Sequence, residues 1–268
     1  MRIRRWRAIF ALSVALVGAL VPVGSANAAS SSAGWSGYWY YGSASDITLG
    51  MAIPAGRLSG SVLDDGSGAR SLRLTVTDAV PGDGNCPFLQ ILSQAGAPVA
   101  ASVATCAGST AININMVGEQ YFYLCMHYYD PPGAGSDCNR MRLPQVATTI
   151  RATGTGMGWG YSTVPDQQRT FTWWAQIPGI QAYGDGSYST SLGNATWTMQ
   201  GVLDTRYSTA CASADLYQQG STSNRIAKCG KDIFNLGPLS SGSPRFRLSL
   251  CRFLTPLAPS QCIEGFIA

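Results

Sequence analysis

The chain has 268 residues, of which only 12% are charged, with a formal net charge of +4. Four of its 18 Lys and Arg, and none of its 14 Asp and Glu, fall in the first 28 residues, so the remainder is balanced. That excludes the basic excess on which nucleic-acid binding depends.

The N-terminus reads as a secretory signal over 1–28. "MRIRRWR" is basic, "AIFALSVALVGALVPV" is apolar, and "ANA" at Ala26–Ala28 is a small-residue cleavage site. The apolar run is too short to span a bilayer, and no later segment is long and apolar enough. The Arg4-Arg5 pair hints at twin-arginine export but has no flanking motif, so the general secretory route is expected. The mature chain then begins near Ala29 in an oxidising, extracellular compartment.

Residues 29–46 form an N-terminal arm or first strand. They hold the densest aromatic cluster, "GWSGYWYYGSASD", with Trp35, Tyr38, Trp39, Tyr40 and Tyr41. If Tyr38–Tyr41 is extended, rings stand on both faces, which a half-exposed edge strand does not require. A core strand, a sugar-binding platform and a segment docked in a partner by strand addition all remain open.

Beyond this arm the chain repeats. The cysteines at 86, 106, 125 and 138 recur at 211, 229, 251 and 262, offset by 123 to 126 residues. Gly34-Trp35 recurs as Gly158-Trp159, and "ITLGMAIP" at 47–54 as "FTWWAQIP" at 171–178, each offset by 124. Two copies follow, at 47–150 and 151–268, joined by a short linker near "LPQVATTIRATGTG". "SLRLTVTD" alternates Leu72, Leu74 and Val76 against Arg73, Thr75 and Thr77. "ATWTMQG" is expected to place Trp197 and Met199 where Leu72 and Leu74 stand. "FRLSL" turns Phe246, Leu248 and Leu250 inward, Arg247 and Ser249 outward. "DDGSG", "PGDGN", "DPPGAGSD", "YGDGS" and "PLSSGSP" read as turns. The fold class is all-β: two tandem, duplicated, disulfide-stapled β-sandwich domains packed side by side.

Eight cysteines in such a chain predict four disulfides. Sequential pairing gives Cys86–Cys106, Cys125–Cys138, Cys211–Cys229 and Cys251–Cys262; crossed pairings stay open. Each short loop so closed stabilises by roughly 3 kcal/mol in the chain-entropy view.

Catalytic signals are weak. The single histidine, His127, matches Phe253 in the repeat, which marks a ring position rather than a general base. Asp64-Asp65, or Asp130 with Asp137, could form a carboxylate pair, but each lies in a turn where Asp caps its own backbone. "DDGSG" has too few oxygen ligands for calcium, and the cysteine spacing is not that of a zinc site. No enzyme activity, metal or cofactor is therefore expected.

Binding is the alternative to catalysis. Gly34-Trp35 recurs, and Tyr38 matches Tyr161. Trp39, Tyr40 and Tyr41 meet Thr163, Val164 and Pro165, so "WYY" belongs to the first copy alone. Trp39–Tyr41, with Tyr38 and Trp35, are the candidate partner-binding residues. Replacing the three rings Trp39–Tyr41 is expected to spare the fold and weaken assembly. Further aromatic groups are Tyr121 to Tyr129 and Trp173-Trp174; in a strand, one of the two tryptophans is buried and the other exposed. The halves also differ in charge: 29–150 carries eight acids and five Arg, 151–268 six acids and nine Lys or Arg. Such a field can orient a partner.

The "ANA" signal end, the Gly- and Ser-rich start with "GWSGYWYY" and the two cysteine-stapled copies together resemble the small adapter (B-type) subunits of actinobacterial umbrella toxin particles. The resemblance lies in layout over residues 47–268. It implies a secreted, non-catalytic adapter that links a repeat-containing toxin polypeptide to lectin-bearing subunits in interbacterial competition. Its partners would be other secreted proteins, and no catalytic residue carries over. A carbohydrate-binding, lectin-like protein and an extracellular hydrolase inhibitor are the competing readings, with a glycan as partner in the first.

Overall fold

The computed structural model describes residues 35–93, 97–99, 103–117, 123–128, 138–145, 149–163, 168–191, 194–218, 224–236, 239–241, 246–253 and 261–267. Side chains at 161–163, 168–169, 188, 190–191, 194–197, 216–218, 224–225, 239–241, 246–247 and 266–267, and that of Tyr128, lie outside the description. The described residues form strands and turns and no helix.

The first half contains β1 (Ser36–Tyr41), β2 (Asp46–Ile53), β3 (Gly56–Asp64), β4 (Arg70–Asp78), β5 (Pro87–Leu92), β6 (Val103–Ala104), β7 (Ser109–Met116), β8 (Tyr123–Tyr128) and β9 (Asn139–Arg142). The second contains β10 (Gly156–Thr163), β11 (Gln168–Ile177), β12 (Ile180–Ser191), β13 (Asn194–Asp204), β14 (Cys211–Gln218) and β15 (Asn224–Cys229). It ends with β16 (Ile233–Asn235), β17 (Leu239–Ser241), β18 (Phe246–Phe253) and β19 (Gln261–Ile267). The chain is all-β, as the turn-rich, period-2 sequence requires.

Both halves contribute to one long sheet of 11 strands, ordered β16-β13-β12-β11-β10-β1-β2-β3-β4-β7, with β17 also on β13. Each half adds a four-stranded sheet of its own, β6-β5-β8-β9 in the first and β15-β14-β18-β19 in the second. The halves meet where β1 pairs antiparallel with β10, and Ser36 lies opposite Gly160. Those two residues are 124 apart, the repeat offset itself, so the junction joins equivalent positions of the two copies. β1 is thus a central strand of the long sheet. The edge strands β9 and β19 also approach one another, and Arg142 Nη1 donates to Glu264 Oε2 at 3.0 Å between them.

Alternation places the core. Leu72, Leu74 and Val76 of β4 are buried, as their spacing predicts, and Leu248 and Leu250 of β18 are buried too. A single apolar cluster runs through both halves, from Leu74 and Ile91 through Trp39, Met157 and Trp159 to Trp173, Leu203 and Leu250. Ser249, expected outward, is buried as well.

Three expectations in the second half are corrected: within "PLSSGSP", Leu239–Ser241 is the strand β17 and not a turn. "YGDGS" is no turn; Tyr183–Ser187 lies inside β12. Its glycines make room: a Cβ on Gly186 would collide with the Phe171 ring of the neighbouring strand. The β13 alignment also moves by two residues. Gly60 faces Leu74, whereas Gly184 faces Gly201, so Met199 takes the place of Leu72, and Trp197 does not. The Trp173 ring fills the space that a side chain at 201 would need.

All four disulfides have the sequential pairing, Cys86–Cys106, Cys125–Cys138, Cys211–Cys229 and Cys251–Cys262. The last two link residues directly opposite on adjacent strands.

Candidate functional site

Period-2 geometry divides the opening aromatic cluster between the two faces of β1. Trp39 and Tyr41 point inward, are fully buried, and meet edge to face with ring centroids 5.9 Å apart. Trp35 is half-buried and packs against the same core. These three rings hold the fold, which corrects the expectation that Trp39 and Tyr41 reach a partner.

Tyr38 and Tyr40 point outward. Their centroids are 6.1 Å apart and their planes within 14° of parallel; Tyr40 is 38% exposed. Residues directly opposite on neighbouring strands share a face. Tyr38 faces Gly158 of β10, Gly158 faces Trp174 of β11, and Trp174 faces Tyr183 of β12. One row of rings therefore crosses four adjacent strands, a span of roughly 14 Å at the usual interstrand spacing. Of the neighbouring tryptophans, Trp173 is buried and Trp174 is half-buried on this outer face.

Glycines let the rings lie down. Strand side chains ordinarily stand away from the sheet. A Cβ on Gly50 would sit 2.7 Å from Tyr38 Cε1, so the phenol extends over β2. A Cβ on Gly158 would sit 2.7 Å from Trp174 Nε1 and 2.9 Å from Tyr38 Cβ. Ser36, Thr48, Thr172, Gln176 and Gln181 flank the row at adjoining register positions. The Tyr38 hydroxyl is raised above its usual pKa by burial and then by Tyr40, which favours a neutral phenol.

Tyr183, which is 43% exposed, is hidden in the sequence because "YGDGS" resembles a turn. The phase of "IQAYGDGSYS" against "FTWW" carries the signal, but only once the two segments are known to pair.

The edges of the sheets differ. β7 ends the long sheet, and its eight residues, "STAININM", contain no charge and no Pro. At the other end β16 and β17 have three residues each. In the small sheets β6 has two, and β15 carries Arg225 and Lys228. Natural edges are blunted by shortness or charge; β7 is neither short nor charged.

The catalytic candidates resolve differently. Asp64 is fully buried, and its carboxylate meets Arg70 at 3.2 Å and Arg151 at 3.1 Å. Gly66 N donates to it at 2.9 Å, and Arg151 also bonds the Asp64 carbonyl oxygen. Arg70 Nη2 donates to Pro144 O at 2.5 Å, so the cluster ties the β3–β4 turn to the connection between the halves. Burial pushes the nearby Tyr41 hydroxyl up to about 12, with the Asp64 charge adding to the effect and Arg151 and Arg70 opposing it. Burial lowers Arg70 from its usual range against the pull of Asp64. Asp65 is exposed and caps Ser67, whose N–H and hydroxyl donate to Oδ1 at 2.7 and 2.6 Å; these bonds hold its carboxyl below the usual range. His127 meets Phe88 edge to face at 4.8 Å. At the far end of the second half, Arg206 pairs with Asp204 at 2.7 Å and lowers that carboxyl. Asp130, Asp137, Tyr121 and Tyr129 lie outside the described residues.

No protein-family model, curated protein or solved structure matches this chain.

Proposed function

We propose that the chain is a secreted, non-catalytic adapter that joins other extracellular protein subunits, and that β7 receives an extended segment of one partner. The observation that supports this reading is the edge itself, eight residues without charge or Pro at the end of the long sheet. Outward N–H and C=O groups of such a strand pair with a further strand, and alternating side chains give selectivity. The layout resemblance to toxin-particle adapters points the same way, and the four disulfides suit an oxidising extracellular setting. The opposite charge balance of the halves gives each end a different field for its own partner.

The test is affinity purification of the tagged chain from native culture supernatant, followed by hydrogen exchange on the complex. Defined protein subunits are expected, with slowed exchange confined to 109–116. Lysines blunt edges, so Ala111→Lys with Asn113→Lys should cut recovery at least tenfold at an unchanged melting temperature. Recovery of the same subunits by that variant, or a complex in which 109–116 exchanges as in the free chain, overturns the reading.

A further inference from the structure

The row of rings on the outer face of the long sheet lies away from the β7 edge and is not needed for strand addition. Tyr38, Trp174 and Tyr183, with Tyr40 beside Tyr38, stand on β1, β11 and β12, and Gly158 of the intervening β10 completes the row. Gly50 and Gly158 lie where a Cβ would lift the Tyr38 and Trp174 rings from the sheet. A protein core gains nothing from this on an outward face, because the burial it achieves is partial. What it does achieve is a low surface of ring faces, held by rigid strands at low entropic cost to any ligand.

We infer that this face is a binding site for an extended, uncharged polysaccharide. Sugar rings have apolar C–H faces that stack on aromatic planes and equatorial hydroxyls that bond to polar neighbours. Here the flanks supply them: hydroxyls of Ser36, Thr48 and Thr172 and amides of Gln176 and Gln181. A row of rings with no enclosing walls suits a repeating chain laid across the strands and gives no seat to a compact ligand.

Charge decides between polymers. Two carboxylates share this face, Asp46 of β2, two residues from Thr48, and Asp185 of β12, which accepts from Gln200 Nε2 at 3.2 Å. Arg57 of β3 and Arg73 of β4 share this face but lie beyond β2, and Arg206 is paired with Asp204. Single-stranded nucleic acid also stacks on aromatics, but it needs a basic groove along its phosphates. With carboxylates at its margins and no cation among the described residues of the ring row, this face complements an uncharged chain and disfavours a polyanion.

The test uses the whole mature chain with microcrystalline cellulose, chitin powder, soluble dextran and a soluble β-glucan as neutral probes, and heparin as the anionic one. Binding to at least one neutral probe is expected, with affinity unchanged between low and high salt, since stacking is not screened. Trp174→Ala with Tyr38→Ala should weaken it at least tenfold. Tyr40→Ala and Tyr183→Ala, at positions more than a third exposed, should each weaken it several-fold without changing the melting temperature. The Ala111→Lys, Asn113→Lys variant should bind the polysaccharide as the parent does, which separates this site from the adapter reading. Failure to bind every neutral probe, binding to heparin alone, or binding untouched by the Tyr40 and Tyr183 variants overturns the inference.

Discussion

Trp39 and Tyr40 are adjacent in sequence and lie on opposite faces of β1, so they respond differently to truncation. Trp39→Ala opens a cavity in the shared core and is expected to cost about 3–5 kcal/mol. In a chain of this size that lowers the melting temperature by roughly 2–4 °C per kcal/mol. Tyr40→Ala on the outer face should cost under about 1 kcal/mol. Thermal melts followed by near-ultraviolet circular dichroism compare the two directly. Equal melting temperatures would mean that Trp39 is not the core residue described above. At this scale the sequence was partly legible. The "YWYY" run announced rings on both faces of a strand. Which ring met the core depended on phase, and phase within a run of four aromatics has no hydrophobic contrast to reveal it.

Among the elements, the β3–β4 turn has the most demanding chemistry. Asp64 is buried between two guanidiniums, one of which, Arg151, belongs to the connection between the halves. Removing one partner from a buried ion cluster leaves uncompensated charge and typically costs about 3–5 kcal/mol. Asp64→Ala is therefore expected to lower the urea midpoint strongly, while Asp65→Ala, at the exposed neighbour, leaves it nearly unchanged. A small shift for Asp64→Ala would show that Arg70 and Arg151 find other partners. "DDGSG" was readable as a turn, and Gly66 and Gly68 do take the left-handed conformation there, at φ of 83° and 97°. The ion cluster was not readable, because Arg151 lies 87 residues from Asp64. The same limit hid β12. Glycines ordinarily signal a turn, and only the Phe171 ring against Gly186 and the β13 backbone against Gly184 explain why they sit inside a strand.

At the scale of the whole molecule, the β1–β10 pairing makes the two halves one sheet over one apolar cluster. With the disulfides intact, differential scanning calorimetry is expected to show one transition whose calorimetric and van't Hoff enthalpies agree. Two separate transitions would show that each half melts alone in spite of the shared sheet. Gly37 lies at this junction, where a Cβ would come 2.5 Å from the Trp159 ring.

By itself the sequence determined the all-β class and the alternation of β4, and it suggested the sequential cysteine pairing, which the structure then chose over the crossed alternatives. Each depends on residues close together in the chain: period-2 patterns, turn glycines and loops of 11 to 20 residues. The repeat offset was equally plain, because it compares the chain with itself. The tertiary structure decided that β1 is central, that Trp39 and Tyr41 serve the core, and that Tyr38, Trp174 and Tyr183 share one outer row. The physical reason is that a strand's partners and register are set by cross-strand pairing between segments far apart in sequence. No local pattern in "GWSGYWYYGSASD" says that Gly158 will lie opposite Tyr38 and leave the Trp174 ring beyond it room to lie down.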